Sequence, residues 1–258
     1  MNTTISIFGC GWLGKPLAIN LVNKGFLVKG STTSKEKLKE LQSNKIQPFL
    51  CTLKELPTNI LEFLNAEILI VNIPSKNVAG FKNLISFIEK SNIQKVLFIS
   101  STSVFASAKE IITETTTLKN CPLKEIEELF QNNTHFKTTI LRFAGLLGYQ
   151  RKPGNWFKNG KIIPNPEGVV NMIHQDDCIE IIKQVIVQNC WNNTFNACAD
   201  THPKRRDFYT KSFLEVGREK PIFNENDEKS MKIIGNEKIK TTLKFKFKYP
   251  NLMQLPNQ

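Results

Sequence analysis

Apolar residues in the first two thirds of the chain follow two alternating patterns. Short β-branched or wholly apolar runs are separated by stretches whose apolar positions recur at helical spacing. The runs predict strands at "TISIF" (4–8), "FLVKG" (26–30), "QPFLC" (47–51), "EILIVNI" (67–73), "KVLFIS" (95–100) and "TTILRF" (138–143). Helices are predicted from Leu13, Leu17, Leu21 and Val22, from a lysine-rich stretch around 34–43, from Phe81, Leu84, Ile85 and Ile88, and from Leu123, Ile126, Leu129 and Phe130. Strands that are apolar throughout belong to a sheet buried on both faces. Their alternation with helices makes the sheet parallel and doubly wound. The rhythm breaks after Gly148. "YQRKPGNWFKNGKIIPNPEG" (149–168) is rich in Pro, Gly and Asn and reads as an excursion. "VVNMI" (169–173) is then a strand, "DDCIEIIKQVIVQ" (176–188) a helix capped by Asp176 or Asp177, and "TFNAC" (194–198) a further strand of the sheet. The expected class is α/β, with a doubly wound domain over 1–148 to which 170–198 returns. Segments 149–169 and 199–258 are expected to form a small α+β lobe.

Composition changes this picture little. The 258 residues are 40% hydrophobic and 22% charged, ordinary for a folded chain. No apolar run is long enough to cross a bilayer. Met1 is followed by Asn-Thr-Thr rather than a basic leader, so a cytoplasmic protein without a membrane partner is expected. Six scattered cysteines without C-x-x-C read as reduced thiols, and the three histidines lie far from one another and from any cysteine pair, so no metal site is expected. The net charge of +12 fits either an anionic partner or lysines dispersed over solvated faces. The lysines are dispersed, arginine is scarce and no recognition motif accompanies them, so no nucleic-acid partner is expected.

Candidate chemistry begins at "IFGCGWLGKPLA" (7–18), which holds G-x-G-x-x-G as Gly9, Gly11 and Gly14 between a strand and a helix. In a dinucleotide site the first glycine permits the turn, the second admits the pyrophosphate and the third lets helix pack on strand. The ordinary alternative is a glycine-rich strand–helix turn. No acid occurs between Lys15 and Lys35, where an NAD site commonly places one. "GSTTSK" instead supplies Ser31, Thr32, Thr33, Ser34 and Lys35, which suit a 2′-phosphate, although Ser34 equally suits a helix cap. NADP is therefore expected ahead of NAD. Trp12 and Leu13 of the loop, and Asn72 and Pro74 after the buried "EILIV" strand, complete the expected cofactor set.

The blocks "GCGWLGKPLA", "VKGSTTS", "VLFISSTSVF", "LRFAGLLG", "NMIHQDD" and "NTFNA", in this order, resemble the extended short-chain dehydrogenase/reductases. The likeness is to the atypical branch of bacterial NAD-dependent epimerase/dehydratase-like proteins. It implies a seven-strand Rossmann sheet and a substrate lobe. It also implies that Ser101 holds the reacting oxygen of a small-molecule substrate, flanked by Thr102 and Ser103, where the plain alternative is a hydroxyl run satisfying a strand end. The family's Tyr-x-x-x-Lys is missing. None of Tyr149, Tyr209 and Tyr249 has lysine four residues on. If the family's helix glutamate is Glu128, Lys124 takes the lysine position and Asn120 the tyrosine position; a slip of one puts Lys119 where the tyrosine belongs. Acid/base work would then fall to Lys124, Cys121, His174 or water. His174 either contacts substrate or anchors a turn, and Trp156 and Phe157 either wall the pocket or pin their loop. The resemblance implies an oxidoreductase or epimerase/dehydratase-like enzyme acting on a substrate such as a sugar nucleotide, with a homodimer a further expectation. The rival is a non-catalytic NAD(P)-binding redox sensor or scaffold.

Overall fold

The computed structural model describes residues 3–108, 110–157, 160–227 and 231–255. In chain order the elements are β1 (Thr4–Phe8), α1 (Gly14–Asn23), β2 (Leu27–Thr32), α2 (Glu36–Ser43), β3 (Gln47–Leu50), α3 (Ile60–Phe63), β4 (Ile68–Val71), α4 (Val78–Ile88), β5 (Lys95–Ser101), α5 (Pro122–Gln131), β6 (Lys137–Phe143), β7 (Gly145–Leu147), β8 (Met172–His174), α6 (Gln175–Val187), β9 (Thr194–Ala197), α7 (Arg205–Glu215) and α8 (Glu237–Leu243). Seven strands form one parallel sheet in the order β3-β2-β1-β4-β5-β6-β9, the Rossmann arrangement. The register runs Ile7 beside Gly30 and Ile70, and Ile70 beside Leu97.

Two expectations shift in detail. β2 continues to Thr32, so Ser31 and Thr32 end a strand rather than open a loop. The "VVNMI" strand does not return to the large sheet. β8 pairs in parallel with β7 in a separate two-stranded sheet, Leu146 beside Ile173, and β9 is the strand of 170–198 that joins the seven.

The chain divides into two compact units. The first comprises Met1–Ser100, Asn120–Leu141 and Ile182–Thr194. Its helices bury the faces their spacing predicts: Gly14, Leu17, Ala18 and Leu21 on α1, and Phe81, Leu84, Ile85 and Ile88 on α4, where Asn77 accepts the Gly80 amide at 3.0 Å as a cap. Phe81, Phe98 and Phe130 tie α4, β5 and α5 together, with Phe98 and Phe130 stacked at 4.9 Å. The second unit comprises Ser101–Lys119, Arg142–Ile181 and Phe195–Gln258, around a smaller core that includes Leu147, Ile163, Met172, Phe208 and Phe213. Among the described residues no helix is long and apolar enough to cross a membrane, and no His, Cys, Asp and Glu group could hold a metal.

Candidate functional site

The chain runs one way from β1 to β2 and β3, and the other way from β4 to β5. The carboxyl ends of β1 and β4 therefore flank the switch point where doubly wound sheets bind ligands. The glycine loop lies there, inside the first unit, and its three glycines have three different reasons. Gly9 sits at φ +110°, and a Cβ on it would lie 2.4 Å from the Asn72 carbonyl oxygen. A Cβ on Gly14 would lie 2.1 Å from the Gly9 carbonyl oxygen, so α1 can start against the strand end because Gly14 has no side chain. Gly11 is exposed, and a Cβ on it would meet nothing within 4 Å. The protein itself gives no packing reason for a glycine there. The amides of Gly11 and Leu13 meet no acceptor among the described residues, and the first turn of α1 carries no acid. Open space lined by N–H donors at a helix start is the chemistry a pyrophosphate requires.

The residues expected beside the loop divide. The Asn72 side-chain amide donates to the Gly9 carbonyl at 3.0 Å and braces the turn. Ser31 does the same from the other side: it is 1% exposed, its hydroxyl accepts the Gly9 amide at 2.9 Å, and its carbonyl accepts the Cys10 amide at 2.7 Å. Thr32 is buried, and its hydroxyl accepts the Ser34 amide at 3.2 Å. These two residues hold the loop from behind rather than reaching out of it. The Ser34 hydroxyl donates to Glu36, and that bond holds the Glu36 carboxyl below its ordinary pKa. Ser34 does not cap α2. Thr33, Lys35 and Pro74 are exposed, Trp12 is half-buried, and the Leu13 side chain is buried in the core.

Ser101, Thr102 and Ser103 lie in the second unit, where Ser101 ends β5 and caps the 3-10 turn that Thr102 and Ser103 open. The Ser101 hydroxyl oxygen accepts the Ser103 amide at 3.1 Å, which leaves its own proton to donate elsewhere. Thr102 is buried and Ser103 exposed. Lys124 belongs to the first unit and pairs with Glu128 at 3.6 Å, with side chains 36% and 51% exposed. The glutamate that α5 buries is instead Glu127, which accepts the Ser100 hydroxyl and is 1% exposed. Cys121 stands at the start of α5, half-buried, and caps nothing with its side chain.

His174 is 1% exposed, and its Nδ1 accepts the Asp176 amide at 3.1 Å. Its ring packs against those of Tyr149 and Tyr249, at centroid distances of 5.6 and 4.1 Å. Asp176 accepts Tyr149 and Lys248 at 2.8 and 2.7 Å. The bond to Asp176 raises the Tyr149 pKa, the wrong direction for a phenol that must give up its proton. Nδ1 thus ties His174 to the start of α6. Phe157 packs edge-on against Tyr209 at 5.1 Å and pins its loop. Trp156, 38% exposed, lines a cavity of about 740 Å³ with Arg151, Lys152 and Asn155.

The chain is 31% identical to the protein YeeZ of Escherichia coli (strain K12), over 98% of both chains. It belongs to the YeeZ family. Its residues 4–122 match the family model described as the NAD binding domain of 6-phosphogluconate dehydrogenase. Two solved structures share the fold of this YeeZ-family chain. One is a conserved protein of unknown function from Silicibacter pomeroyi (TM-score 0.80, 20% identity, 97% of this chain and 95% of that one). The other is the dTDP-glucose 4,6-dehydratase of Bacillus anthracis, solved with NAD (TM-score 0.80, 14% identity, 98% and 94%). The fold is that of the extended short-chain dehydrogenase/reductases.

Sequence reasoning missed one residue of this YeeZ-family chain that touches the Ser101 turn. Lys232 donates its ammonium to the carbonyls of Thr102 at 2.7 Å and Phe105 at 2.8 Å. Nothing in "KSMKIIGNEK" (229–238) separates it from the neighbouring lysines, since its partners are main-chain atoms about 130 positions away.

Proposed function

We propose that the chain binds NAD(H) at the glycine loop and acts as an oxidoreductase or epimerase/dehydratase-like enzyme on a small hydroxyl or carbonyl substrate, such as a sugar nucleotide. The observation that carries this reading is Gly11, a glycine with free space around it between two glycines that packing requires. The NAD held by the Bacillus anthracis dehydratase supports it. Bound dinucleotide would supply or take up a hydride at its nicotinamide. The chain's own contribution is a grip on the phosphates through the amides of Gly11 and Leu13. Ser101 adds a hydroxyl proton for the substrate oxygen. NAD(H) is preferred over the phosphorylated form because Ser31 and Thr32 are committed inside the fold. Ser34 in turn is paired with Glu36, whose charge repels a 2′-phosphate.

Titration of the purified chain with NADH and NADPH, read by nicotinamide fluorescence, tests the reading. NADH is expected to saturate with Kd on the order of tens of micromolar or below, and NADPH to bind about tenfold more weakly. Binding of neither would remove the proposal. Turnover of sugar nucleotides, lowered about a hundredfold in Ser101→Ala, is the expected catalytic result. The absence of a tyrosine on α5 favours a second reading, a dinucleotide-binding protein without turnover. Saturable NADH binding with no hydride transfer to any compound of the panel would select it.

A further inference from the structure

We propose that Lys119 and Lys232 form an anion-binding end of the substrate site, so that the substrate carries a carboxylate or phosphate near the oxygen held by Ser101. This rests on the reading of the Ser101–Ser103 turn as the place where the substrate oxygen binds. Both lysines are fixed to that turn within the second unit. The Lys119 amide donates to the Val104 carbonyl at 3.0 Å, and the Lys232 ammonium spans the carbonyls of Thr102 and Phe105. Lys232 is itself held. Its carbonyl accepts the Asn171 side-chain amide, whose oxygen accepts the Ile234 amide at 3.0 Å. On either side of it the Ala108 amide donates to Met231 and the Ile112 amide to Ile233, at 3.2 and 2.8 Å. The ammonium is therefore placed rather than free to wander.

Neither Lys119 nor Lys232 pairs with a carboxylate among the described residues. Partial burial, and then the charge of Lys119, push the Lys232 ammonium below its ordinary pKa. An ammonium has three donors, and Lys232 spends two on carbonyls. The third, with the hydroxyl protons of Ser101 and Ser103, gives this short turn a set of donors, and Lys119, joined to the turn through its amide, adds the charge that acts on Lys232. A bound anion would relieve the repulsion and accept from that set.

The test uses the full chain, labelled with ¹⁵N, titrated separately with inorganic phosphate and with acetate at constant ionic strength. Saturable shifts at the amides of Ser101 to Phe105 and at Lys119 are expected with at least one of the two, and which one responds identifies the substrate's anionic group. Lys119→Gln is expected to weaken that binding about tenfold, the worth of one charge-assisted hydrogen bond. Lys232→Gln is expected to do the same and Lys232→Arg to retain it. Lys119 is exposed, so its variant keeps the test decisive even if Lys232→Gln fails to fold. Shifts confined to residues 9–14, no saturable shift, or unchanged affinity in Lys119→Gln would overturn the proposal. NADH titration of Lys119→Gln is expected to match the unaltered chain. Loss of NADH binding by the unaltered chain would count against the cofactor reading alone.

Discussion

Three glycines within six residues can be told apart by experiment, because each is glycine for a different reason. Gly14→Ala forces a methyl to 2.1 Å from the Gly9 carbonyl, so the loop or α1 must move. It is expected to lower Tm by roughly 5 °C or more and to abolish NADH binding. Gly11→Ala meets no protein atom and is expected to leave Tm unchanged while weakening NADH about tenfold or more. Thermal melts and fluorescence titrations of the two variants check this. Equal NADH affinity in Gly11→Ala would show that nothing approaches the backbone there. Gly9 and Gly14 were legible in the sequence because the turn and the close start of α1 leave glycine no substitute, and Gly11 because it completes their spacing. Ser31 was not. A serine at a strand end can donate to a phosphate or accept from a neighbouring amide, and only the position of the Gly9 amide, 22 residues away in sequence, decides. The same ambiguity surrounds His174, which the structure buries against two aromatic rings.

Among elements, legibility followed periodicity. β1, β4 and β5 were read within a residue or two because apolar runs and turn signals bracket them. β7 and β8 were harder: at three residues each they are too short for a pattern, and their mutual pairing in a second sheet depends on chain that returns across the excursion. Asp176 and Asp177, expected ahead of α6 as its cap, lie inside its first turn and are used elsewhere. Asp177 accepts the amides of Lys248 and Tyr249 at 2.7 and 3.1 Å, and Asp176 accepts the Lys248 ammonium, so two adjacent acids tether the C-terminal segment. Burial works against the Asp176 carboxylate, but bonds from Lys248 and Tyr149 outweigh it and hold its pKa below the ordinary 3.8. A carboxyl whose pKa is lower in the folded state than in the unfolded one adds stability above the unfolded value. It loses that stability as pH falls through the folded value. The unaltered chain is therefore expected to be more stable to urea than Asp176→Asn at neutral pH. The gap should close from about pH 4 downward. A gap independent of pH would show that the tether is not electrostatic.

At the scale of the whole chain, alternation of strand and helix specified the sheet. The helical spacing specified which helix faces turn inward, and the six cysteines extend that to residues outside the pattern. Cys10, Cys51, Cys178 and Cys198 are buried, while Cys121 and Cys190 are half-buried. Burial pushes the thiols of Cys10, Cys51 and Cys198 up to about 12 and raises that of Cys178 as well, so at mildly alkaline pH none of the four presents a thiolate. Cys10 is the informative one. It stands inside the glycine loop, yet it is 5% exposed, with its sulfur beside the Ile7 carbonyl of β1 and Gly30 of β2. A thiol reagent such as Ellman's is expected to titrate two cysteines quickly in the native chain and all six after denaturation. The four slow thiols should react at the rate of unfolding. Saturating NADH should slow that phase by mass action on the native state without altering the fast pair. Rapid labelling of Cys10 together with loss of NADH binding would place its sulfur on the face the cofactor uses, and would turn the loop inside out relative to the arrangement on which Gly9, Ser31 and Asn72 converge.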